Sequence, residues 1–288
     1  MPDPSAAASV SLPMTWADLT DRPRPQADRA YPYGPDSLQT ADLWLPAGPP
    51  PPGGWPGVVM VHGGCWQSSI ADRRLMDWAA ADLRGRGMAV WNIDYRGVDR
   101  AGGGYPGTFR DVAAAADLIR DAAAEVPIDL SRIVAIGHSA GGHLALWLAA
   151  RPRLPTGSPL VTDDPLPIAH VVCLGGLPDL AAVERDPANG CGTEVIASLV
   201  GDRADRFADT SIPELLPIGV PQALVHAEGD RIVPAYMATD YQAAAVAAGD
   251  AATLHRVEGG HVELIAPGSN AWGCAVERVG RALYFRSP

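Results

Sequence analysis

Short apolar runs alternate with segments of helical spacing through most of this chain, and this alternation limits the folds it can adopt more than any other feature. Three of these five apolar runs end in Gly or Asp, and all are short enough to be strands buried on both faces of a sheet. The segments between them are rich in Ala and Leu, which favour helix. Alternating strands and helices predict an α/β fold with a mostly parallel central sheet and helices on both faces. The apolar runs cover residues 57–63, 87–95, 132–138, 169–176 and 221–230, and the helical segments cover 73–87, 108–125, 143–154, 234–249 and 271–285.

The pattern predicts one main domain with an arm and an insertion. A chain of 288 residues with 47% hydrophobic content can bury one sizeable core. Residues 1–32 lack a sustained period and are expected to form an N-terminal arm, which leaves 33–288 as the main domain. The proline-rich connector 47–57 should exclude a central strand, because proline cannot donate to a ladder. Residues 177–219 break the rhythm and are expected to form a small irregular cap or lid.

Charge and hydropathy exclude two classes of partner. The net charge of −11 argues against nucleic-acid binding, because a surface that neutralises phosphates is basic. The chain contains no run of about 18 apolar residues, and its acidic, proline-rich start does not resemble a secretory signal. We therefore expect a cytoplasmic protein that binds neither nucleic acid nor a membrane. Its oligomeric state, monomer or homodimer, stays open.

The four cysteines, Cys65, Cys173, Cys191 and Cys274, lie far apart in the sequence. They form no C-x-x-C pair and no His/Cys cluster with zinc-like spacing, so neither a metal nor another cofactor is expected. At this low density we expect reduced thiols, with a disulfide between Cys191 and Cys274 as the alternative.

Polar residues follow several of the strand-like runs at the points where those runs end. In open parallel sheets, ligands bind at the carboxyl ends of the strands, so these features should meet in space. They are HGGCW at 62–66, GHSAG at 137–141, EGD at 228–230 and GGH at 259–261. Together they indicate one site at one edge of the sheet.

The GHSAG segment contains a serine between glycines, where a strand-like run passes into a helix. This arrangement holds Ser139 on a tight turn with its hydroxyl exposed, and the helix N-terminus behind it favours negative charge. Ser139 is therefore the candidate nucleophile. The alternative is that Ser139 only caps the helix, since serine is a preferred N-cap residue.

A serine nucleophile needs a base, and the base needs an acid that fixes its tautomer. Asp230 follows one strand-like run, and His261 lies in a glycine-flanked loop after the next one. The order Ser, Asp, His matches the chain order expected for this arrangement of strands. We predict His261 as the base and Asp230 as the acid, with Glu228 or Asp179 as alternatives for the acid.

The HGGCW segment can supply hydrogen-bond donors for a carbonyl oxygen that becomes an oxyanion. Successive glycines allow backbone N–H groups to turn toward that oxygen. We predict that Gly64 and Cys65 are donors together with Ala140. Gly63 is expected to make the turn.

Two residues beside these motifs are candidates for substrate contact. Trp66 follows the predicted oxyanion donors and either packs beside the site or forms one of its walls. His138 directly precedes the predicted nucleophile. His62 is expected to orient the oxyanion loop by hydrogen bonding rather than to take part in the chemistry.

Five motifs resemble the α/β-hydrolase fold, in particular the esterase branch that includes kynurenine formamidases and hormone-sensitive-lipase-like enzymes. They are HGGCW, DYR at 94–96, GHSAGGHLA, GDRIVP at 229–234 and GGH, within a resemblance that runs from about residue 33 to the carboxy terminus. The resemblance implies Ser139 as nucleophile, His261 as base and Asp230 as acid, with an HGG-type oxyanion loop. HGG-x-W and YGPDSLQTADLWLP are more similar to the formamidases. Cys65 replaces the third glycine of the lipase-like HGGG motif.

The predicted reaction is acyl transfer to the serine, followed by hydrolysis of the acyl-enzyme. Small carboxylic esters are the expected substrates, and the resemblance adds aryl or N-formyl amides such as N-formylkynurenine. A peptidase-like serine hydrolase is one alternative. A non-catalytic ligand-binding module on the same fold is another, and it predicts that a member of the triad is missing.

Overall fold

A computed structural model describes residues 12–284 of the chain, and a single sheet runs through them. Its strands are β1 (Arg29–Pro32), β2 (Thr40–Trp44), β3 (Trp55–Val61), β4 (Ala89–Ile93), β5 (Ile128–His138), β6 (His170–Leu174), β7 (Gln222–Ala227) and β8 (Ala252–Val257). Their order in the sheet is β1-β2-β4-β3-β5-β6-β7-β8. Strands β3 to β8 run parallel, whereas β1 and β2 pair antiparallel at one edge.

Helices cover both faces of this sheet. The α-helices in the described part of the chain are α1 (Trp16–Thr20), α2 (Asp77–Gly85), α3 (Gly107–Asp117), α4 (Ile119–Glu125), α5 (Ala140–Ala150), α6 (Leu180–Arg185), α7 (Glu194–Val200), α8 (Ala235–Ala247) and α9 (Asn270–Tyr284). Between residues 12 and 284, no helix is both long and apolar enough to cross a bilayer.

The two faces of the sheet have separate hydrophobic cores. Successive residues of a strand point to opposite faces, so Val59 of β3 joins one core with Trp147 of α5, and Met60 joins the other with Trp272 of α9. Because both faces are buried, the central strands read as continuous apolar runs rather than alternating ones. The predicted mostly parallel sheet with helices on both faces is confirmed.

The sheet begins inside the predicted arm. Residues 29–32 form the edge strand β1, which pairs with β2. Neither strand stands out in the sequence, because polar residues or proline interrupt both; Asp42 lies inside β2 with its carboxylate 2.6 Å from Arg73 Nε. Residues 1–11 of the predicted arm and Phe285 of the last predicted helix lie outside the described residues.

The expectation that no central strand enters the connector 47–57 is wrong. Strand β3 begins at Trp55 and lies between β4 and β5, so Pro56 is part of a central strand. The pairing of β3 with β5 shifts register between Pro56 and Gly57. This irregularity lets the ladder pass a residue that has no N–H to donate.

The insertion at 177–219 is more regular than the sequence predicts. It contains the short helices α6 and α7 and a 3₁₀ turn at Ile212–Leu215. Leu180 of α6 and Ile196 of α7 are fully buried in the same core as α5. The insertion is therefore anchored to the main core by its own apolar side chains.

The expectation of four reduced thiols is wrong, because Cys65 and Cys191 form a disulfide. The alternative pairing of Cys191 with Cys274 is also wrong, since Cys274 and the buried Cys173 are free thiols. Disulfides are typical of oxidising compartments. The cytoplasmic location therefore stays a prediction that the cysteines no longer support.

Candidate active site

Ser139 lies on the turn between β5 and α5, at the carboxyl end of the parallel strands. Its φ of 56° and ψ of −125° lie outside the regions that residues with side chains ordinarily adopt. The flanking glycines permit this turn, because a Cβ on Gly141 would lie 2.2 Å from the carbonyl oxygen of Val61, and one on Gly137 would lie 2.0 Å from that of Gly141. The Ser139 side chain makes no capping hydrogen bond to α5, so the geometry does not favour the capping alternative.

Asp230 and His261 lie in contact beside this turn. His261 Nδ1 lies 2.6 Å from Asp230 Oδ2, and Asp230 Oδ1 accepts the N–H groups of Ile232 and Val233 at 2.8 and 2.9 Å. Burial alone would raise the pKa of Asp230, but the hydrogen bond and charge of His261 and these N–H groups hold it below its ordinary value. The ionised carboxylate favours the tautomer of His261 with its proton on Nδ1, which leaves Nε2 able to accept a proton.

The two alternatives for the acid lie elsewhere. The Asp179 side chain accepts the Ala182 N–H at 3.0 Å and so caps the start of α6. Glu228 is exposed. Of the three carboxylates considered from the sequence, Asp230 is the one that pairs with His261.

The predicted oxyanion loop follows β3 and turns through three successive residues with positive φ. These are Gly64 at 105°, Cys65 at 51° and Trp66 at 56°. Gly63 packs directly on the predicted nucleophile, since a Cβ there would lie 2.9 Å from Ser139 Cβ. Gly64 and Cys65 line the same cavity as Ser139.

Three backbone N–H groups near Ser139 are candidate donors to a ligand. Within residues 12–284, no acceptor takes the N–H of Gly64, Cys65 or Ala140. Ala140 is the first residue of α5, so its N–H is one of the donors that a helix start leaves unpaired. Donors left unpaired beside a nucleophile are the requirement for an oxyanion hole.

His62 anchors the predicted oxyanion loop. Its Nε2 lies 3.0 Å from Asp94 Oδ1, and its ring stacks on that of Tyr95 with the centroids 4.3 Å apart. The Tyr95 hydroxyl donates to the carbonyl oxygen of His62 at 3.1 Å. These contacts fit the orienting role expected from the sequence.

Trp66, a candidate for substrate contact, lies in the core and not on the cavity wall. Its side chain is fully buried, and its indole Nε1 donates to His143 Nδ1 at 3.2 Å. The other expectation for Trp66, that it packs beside the site, matches this position. Its φ is positive, and burial of the large ring holds the residue there.

His138, the other candidate for substrate contact, lines the cavity. Its Nε2 donates to the backbone carbonyl oxygen of His261 at 3.0 Å, and the two ring centroids are 4.3 Å apart. Burial and the neighbouring His261 lower the pKa of His138 well below its ordinary value. The lowered pKa favours the neutral ring, and its hydrogen bond supports the loop that carries His261.

Ser139 and His261 open onto one cavity of about 340 Å³. Among the described residues, two surface grooves of about 630 Å³ and one of about 520 Å³ are larger, and none of the three is lined by either residue. Beside the predicted site residues, the cavity is lined by mostly apolar side chains that the sequence analysis did not select. These residues are Trp16, Thr20, Ile70, Ala71, Leu75, Gly190 and Ile232.

Trp16 is the aromatic residue that the sequence analysis missed. It belongs to α1, within the predicted arm, and its ring meets those of His138 and His261 edge-on at centroid distances of 6.2 Å. The arm is held against the site, since the Met14 N–H donates to Glu263 Oε1 at 2.6 Å. The only signal in the sequence was a tryptophan within an otherwise polar, proline-rich segment, and tryptophan is enriched at binding surfaces.

Comparisons with solved structures show the fold. Thermogutta terrifontis esterase 2, phosphonylated by sarin, is 22% identical, with a TM-score of 0.74 over 93% of this chain and 99% of that one. A truncated carbohydrate esterase from gut microbiota is 22% identical, with a TM-score of 0.73 over 90% of this chain and 99% of that one. Esterase B from Lactobacillus rhamnosis, in a structure with a tributyrin phosphonate, is 18% identical, with a TM-score of 0.75 over 90% of this chain and 87% of that one.

Comparison at the level of sequence assigns a family. No curated protein matches the sequence. The BD-FAE family matches it over residues 41–244, which is well over half of the chain and includes the predicted oxyanion loop, Ser139 and Asp230. The chain has the α/β-hydrolase fold and belongs to the BD-FAE family.

Proposed function

We propose that the protein is a carboxylic ester hydrolase in which Ser139 is the nucleophile, His261 the base and Asp230 the acid. The observation that carries the proposal is the 2.6 Å contact between His261 Nδ1 and Asp230 Oδ2, beside a cavity that Ser139 and His261 both line. A base held in one tautomer next to a serine on a strained turn is the arrangement that acyl transfer requires.

In the first half of the reaction, Ser139 Oγ attacks the carbonyl carbon of the ester while His261 Nε2 takes the hydroxyl proton. The carbonyl oxygen becomes an oxyanion and accepts hydrogen bonds from the N–H groups of Ala140 and of Gly64 or Cys65. The bond to the alcohol oxygen then breaks, and His261 gives its proton to the departing alcohol. The acyl group remains on Ser139.

In the second half, water attacks the acyl carbon while His261 takes one of its protons. The same N–H groups bind the second oxyanion. When the carboxylic acid leaves, His261 returns a proton to Ser139 Oγ. Asp230 stays ionised throughout and stabilises the imidazolium, a role that its lowered pKa favours.

The cavity fits small, neutral acyl groups. Its walls include the apolar side chains of Trp16, Ile70 and Leu75, and burial against such walls is favourable by about 0.8 kcal/mol per CH₂ group. Two structures of Thermogutta terrifontis Est2, which has the same fold, contain propionate and butyrate. We infer that esters of short-chain carboxylic acids are the substrate class.

Hydrolysis of N-formyl amides is the more specific alternative that the sequence resemblance suggests. N-formylkynurenine carries an ammonium and a carboxylate group, and buried charges need charged or strongly polar partners. Within residues 12–284, the cavity lining contains no Asp, Glu, Lys or Arg. This lining favours esters. No feature of the site specifically favours a peptidase, and all three candidate triad residues are present, which does not support a non-catalytic module.

The test compares kcat/KM on p-nitrophenyl acetate and butyrate with kcat/KM on N-formylkynurenine. We expect ester turnover that falls by about 10⁴-fold or more in Ser139→Ala, because this variant lacks the nucleophile. Ser131→Ala changes an exposed serine of β5 and is the matched control, with activity expected to equal that of the wild type.

A fluorophosphonate probe adds a readout that does not depend on the substrate. We expect it to label Ser139 in the wild type. Labelling of another residue, or ester hydrolysis retained by Ser139→Ala, would refute the assigned nucleophile. Formamide turnover without ester turnover would refute the substrate class.

A further inference from the structure

A covalent bond joins the predicted oxyanion loop to the insertion. Cys65 of this loop is disulfide-bonded to Cys191, which lies between α6 and α7. Residues 189–191, called the strap below, reach the wall of the cavity, because Gly190 lines it together with Cys65. One end of the strap is thus attached to a residue whose N–H is a candidate oxyanion donor.

The strap is also tied to the loop that carries the acid. The Gly190 N–H donates to the carbonyl oxygen of Ile232 at 2.7 Å, and a Cβ on Gly190 would lie 3.0 Å from Ile232 Cγ2. The Ile232 N–H donates in turn to Asp230 Oδ1 at 2.8 Å. The strap therefore connects the oxyanion loop with the loop of Asp230.

The strap is itself held by a buried side chain. Asn189 Nδ2 donates to the carbonyl oxygen of Val183 in α6 at 3.0 Å, and Asn189 Oδ1 accepts the Cys191 N–H at 2.9 Å. Helix α6 belongs to the main core. A disulfide to an anchored residue restrains Cys65 more than a disulfide to a free loop would.

Cys65 has a backbone conformation that requires a restraint. Its φ of 51° lies in a region that is unfavourable for a residue with a side chain. On one side of it, His62 is held by Asp94, and on the other, Trp66 is held by His143. The side chain of Cys65 is held by the disulfide.

We propose that Cys191 is a positioning residue: through the disulfide, the strap holds the backbone N–H of Cys65 where it donates to the oxyanion. The inference rests on the proposed function, since it concerns the rate of ester hydrolysis. A dithiol such as dithiothreitol breaks the bond by exchange. The reductant becomes a cyclic disulfide, and its two electrons and two protons convert Cys65 and Cys191 to thiols.

The experiment measures kcat and KM on p-nitrophenyl butyrate for oxidised and fully reduced wild-type protein, well below the melting temperature of both. Reduction should lower kcat by about 10- to 100-fold, because a misplacement of about 1 Å can cost 10²-fold in rate. KM should change much less, since the apolar walls remain. Reoxidation should restore kcat, and mass spectrometry after alkylation should count the thiols in each sample.

Three variants separate this effect from other effects of the reductant. Without any reductant, Cys191→Ser should have the low kcat of the reduced wild-type protein. Adding reductant should not change this kcat. The double variant Cys65→Ser/Cys191→Ser should have a kcat no lower than that of Cys191→Ser, because both changes break the same bond. Cys274→Ser removes a free thiol of α9 and is the matched control, with wild-type kcat and wild-type sensitivity to reductant.

Several outcomes would overturn the proposal. One is a count of four free thiols in the untreated wild type, and another is a kcat that full reduction leaves unchanged. The others are an effect of reduction on KM alone and a decrease in kcat that disappears at a lower assay temperature. If Cys191→Ser does not fold, the kcat of the reduced wild-type protein tests the proposal. If the wild type hydrolyses no ester and the fluorophosphonate does not label Ser139, the proposed function fails instead.

Discussion

The two carboxylate oxygens of Asp230 accept three hydrogen bonds. Oδ2 faces His261 Nδ1, while Oδ1 accepts the N–H groups of Ile232 and Val233. Burial would raise the pKa of this carboxyl group, yet these partners lower it. At the scale of residues, one carboxylate thus binds its own loop and contacts the proposed base.

Asp230→Asn should lower kcat on p-nitrophenyl butyrate by about 10³- to 10⁴-fold, because an amide can turn an N–H toward Nδ1 and favour the wrong tautomer of His261. Steady-state kinetics at neutral pH measure the effect. Glu228→Gln changes an exposed carboxylate that the sequence offered as an alternative acid, and should keep the wild-type kcat. A kcat close to that of the wild type in Asp230→Asn would contradict the assigned acid.

The lowered pKa of Asp230 also predicts how stability depends on pH. The ionised carboxylate stabilises the folded state above its ordinary pKa of about 3.9, and this contribution is lost as the pH falls through the lowered folded-state pKa. At neutral pH, the wild-type protein should therefore have a higher melting temperature than Asp230→Asn. This difference in melting temperature should shrink in strong acid. Thermal melts followed by circular dichroism test this. A difference that widens toward acid pH would contradict it.

Trp16 should determine how well the site holds the acyl chain. It lines the cavity and is still 42% exposed, so a substrate can bury more of its ring. Trp16→Ala should raise KM for p-nitrophenyl butyrate by about fivefold, which corresponds to about 1 kcal/mol of lost apolar burial. Trp16→Phe keeps an aromatic ring in the cavity wall, so its KM should stay close to that of the wild type. Equal KM values for Trp16→Ala and the wild type would show that the arm does not contact the acyl group.

At the scale of elements, the candidate functional residues lie where strands end, and close approach of the elements sets their positions. Helix α5 is buried along its whole length, and its first turn touches the end of β3. A Cβ on Gly141 would lie 2.2 and 2.3 Å from the carbonyl oxygens of Val61 and His62. The absence of a side chain at Gly141 lets the turn of Ser139, the proposed nucleophile, approach the predicted oxyanion loop.

Gly141→Ala should therefore destabilise the protein by more than about 4 kcal/mol, because the new methyl group meets backbone atoms that cannot move aside cheaply. Gly280→Ala is the contrasting variant, since a Cβ at Gly280 in α9 would have no neighbour within 4 Å. It should stabilise the helix by about 0.5 to 1 kcal/mol. Urea unfolding curves measure both changes. Equal stability of the two variants would contradict the packing argument.

At the scale of the whole molecule, the site is assembled from distant parts of the chain. Trp16 meets His261 across nearly the full length of the sequence, and the strap reaches Cys65 from the insertion. The sheet accounts for part of this assembly, because parallel strands bring the loops after β3, β5, β7 and β8 to one edge. The disulfide adds a covalent link between two loops at that edge.

Reduction of this disulfide should lower the melting temperature. The bond joins residues 126 positions apart, and cross-links that close long loops restrict the unfolded chain most. We expect a loss of about 2 to 4 kcal/mol, or a melting temperature about 5 to 10 °C lower. Calorimetry with and without dithiothreitol measures it, with Cys274→Ser as the control. An unchanged melting temperature after complete reduction would contradict the expectation.

Most of β3, the strands β4 to β7 and the order of Ser139, Asp230 and His261 could be predicted from the sequence, whereas β8 has no continuous apolar run. Each predicted strand depends on a local run of apolar residues, and the rule that ligands bind at strand ends then groups the polar residues that follow. The strands β1 and β2 were not readable, because Asp42 and proline interrupt their pattern and their stability comes from pairing with β4.

By itself, the sequence determined the type of fold and the residues that are candidates for the chemistry, because both depend on patterns within short segments. Only the tertiary structure decided that Cys65 pairs with Cys191, that Trp66 is buried, and that Trp16 forms a wall of the cavity. The physical reason is that these outcomes depend on contacts between distant residues. Four cysteines alone allow three complete pairings, and no local pattern chooses among them.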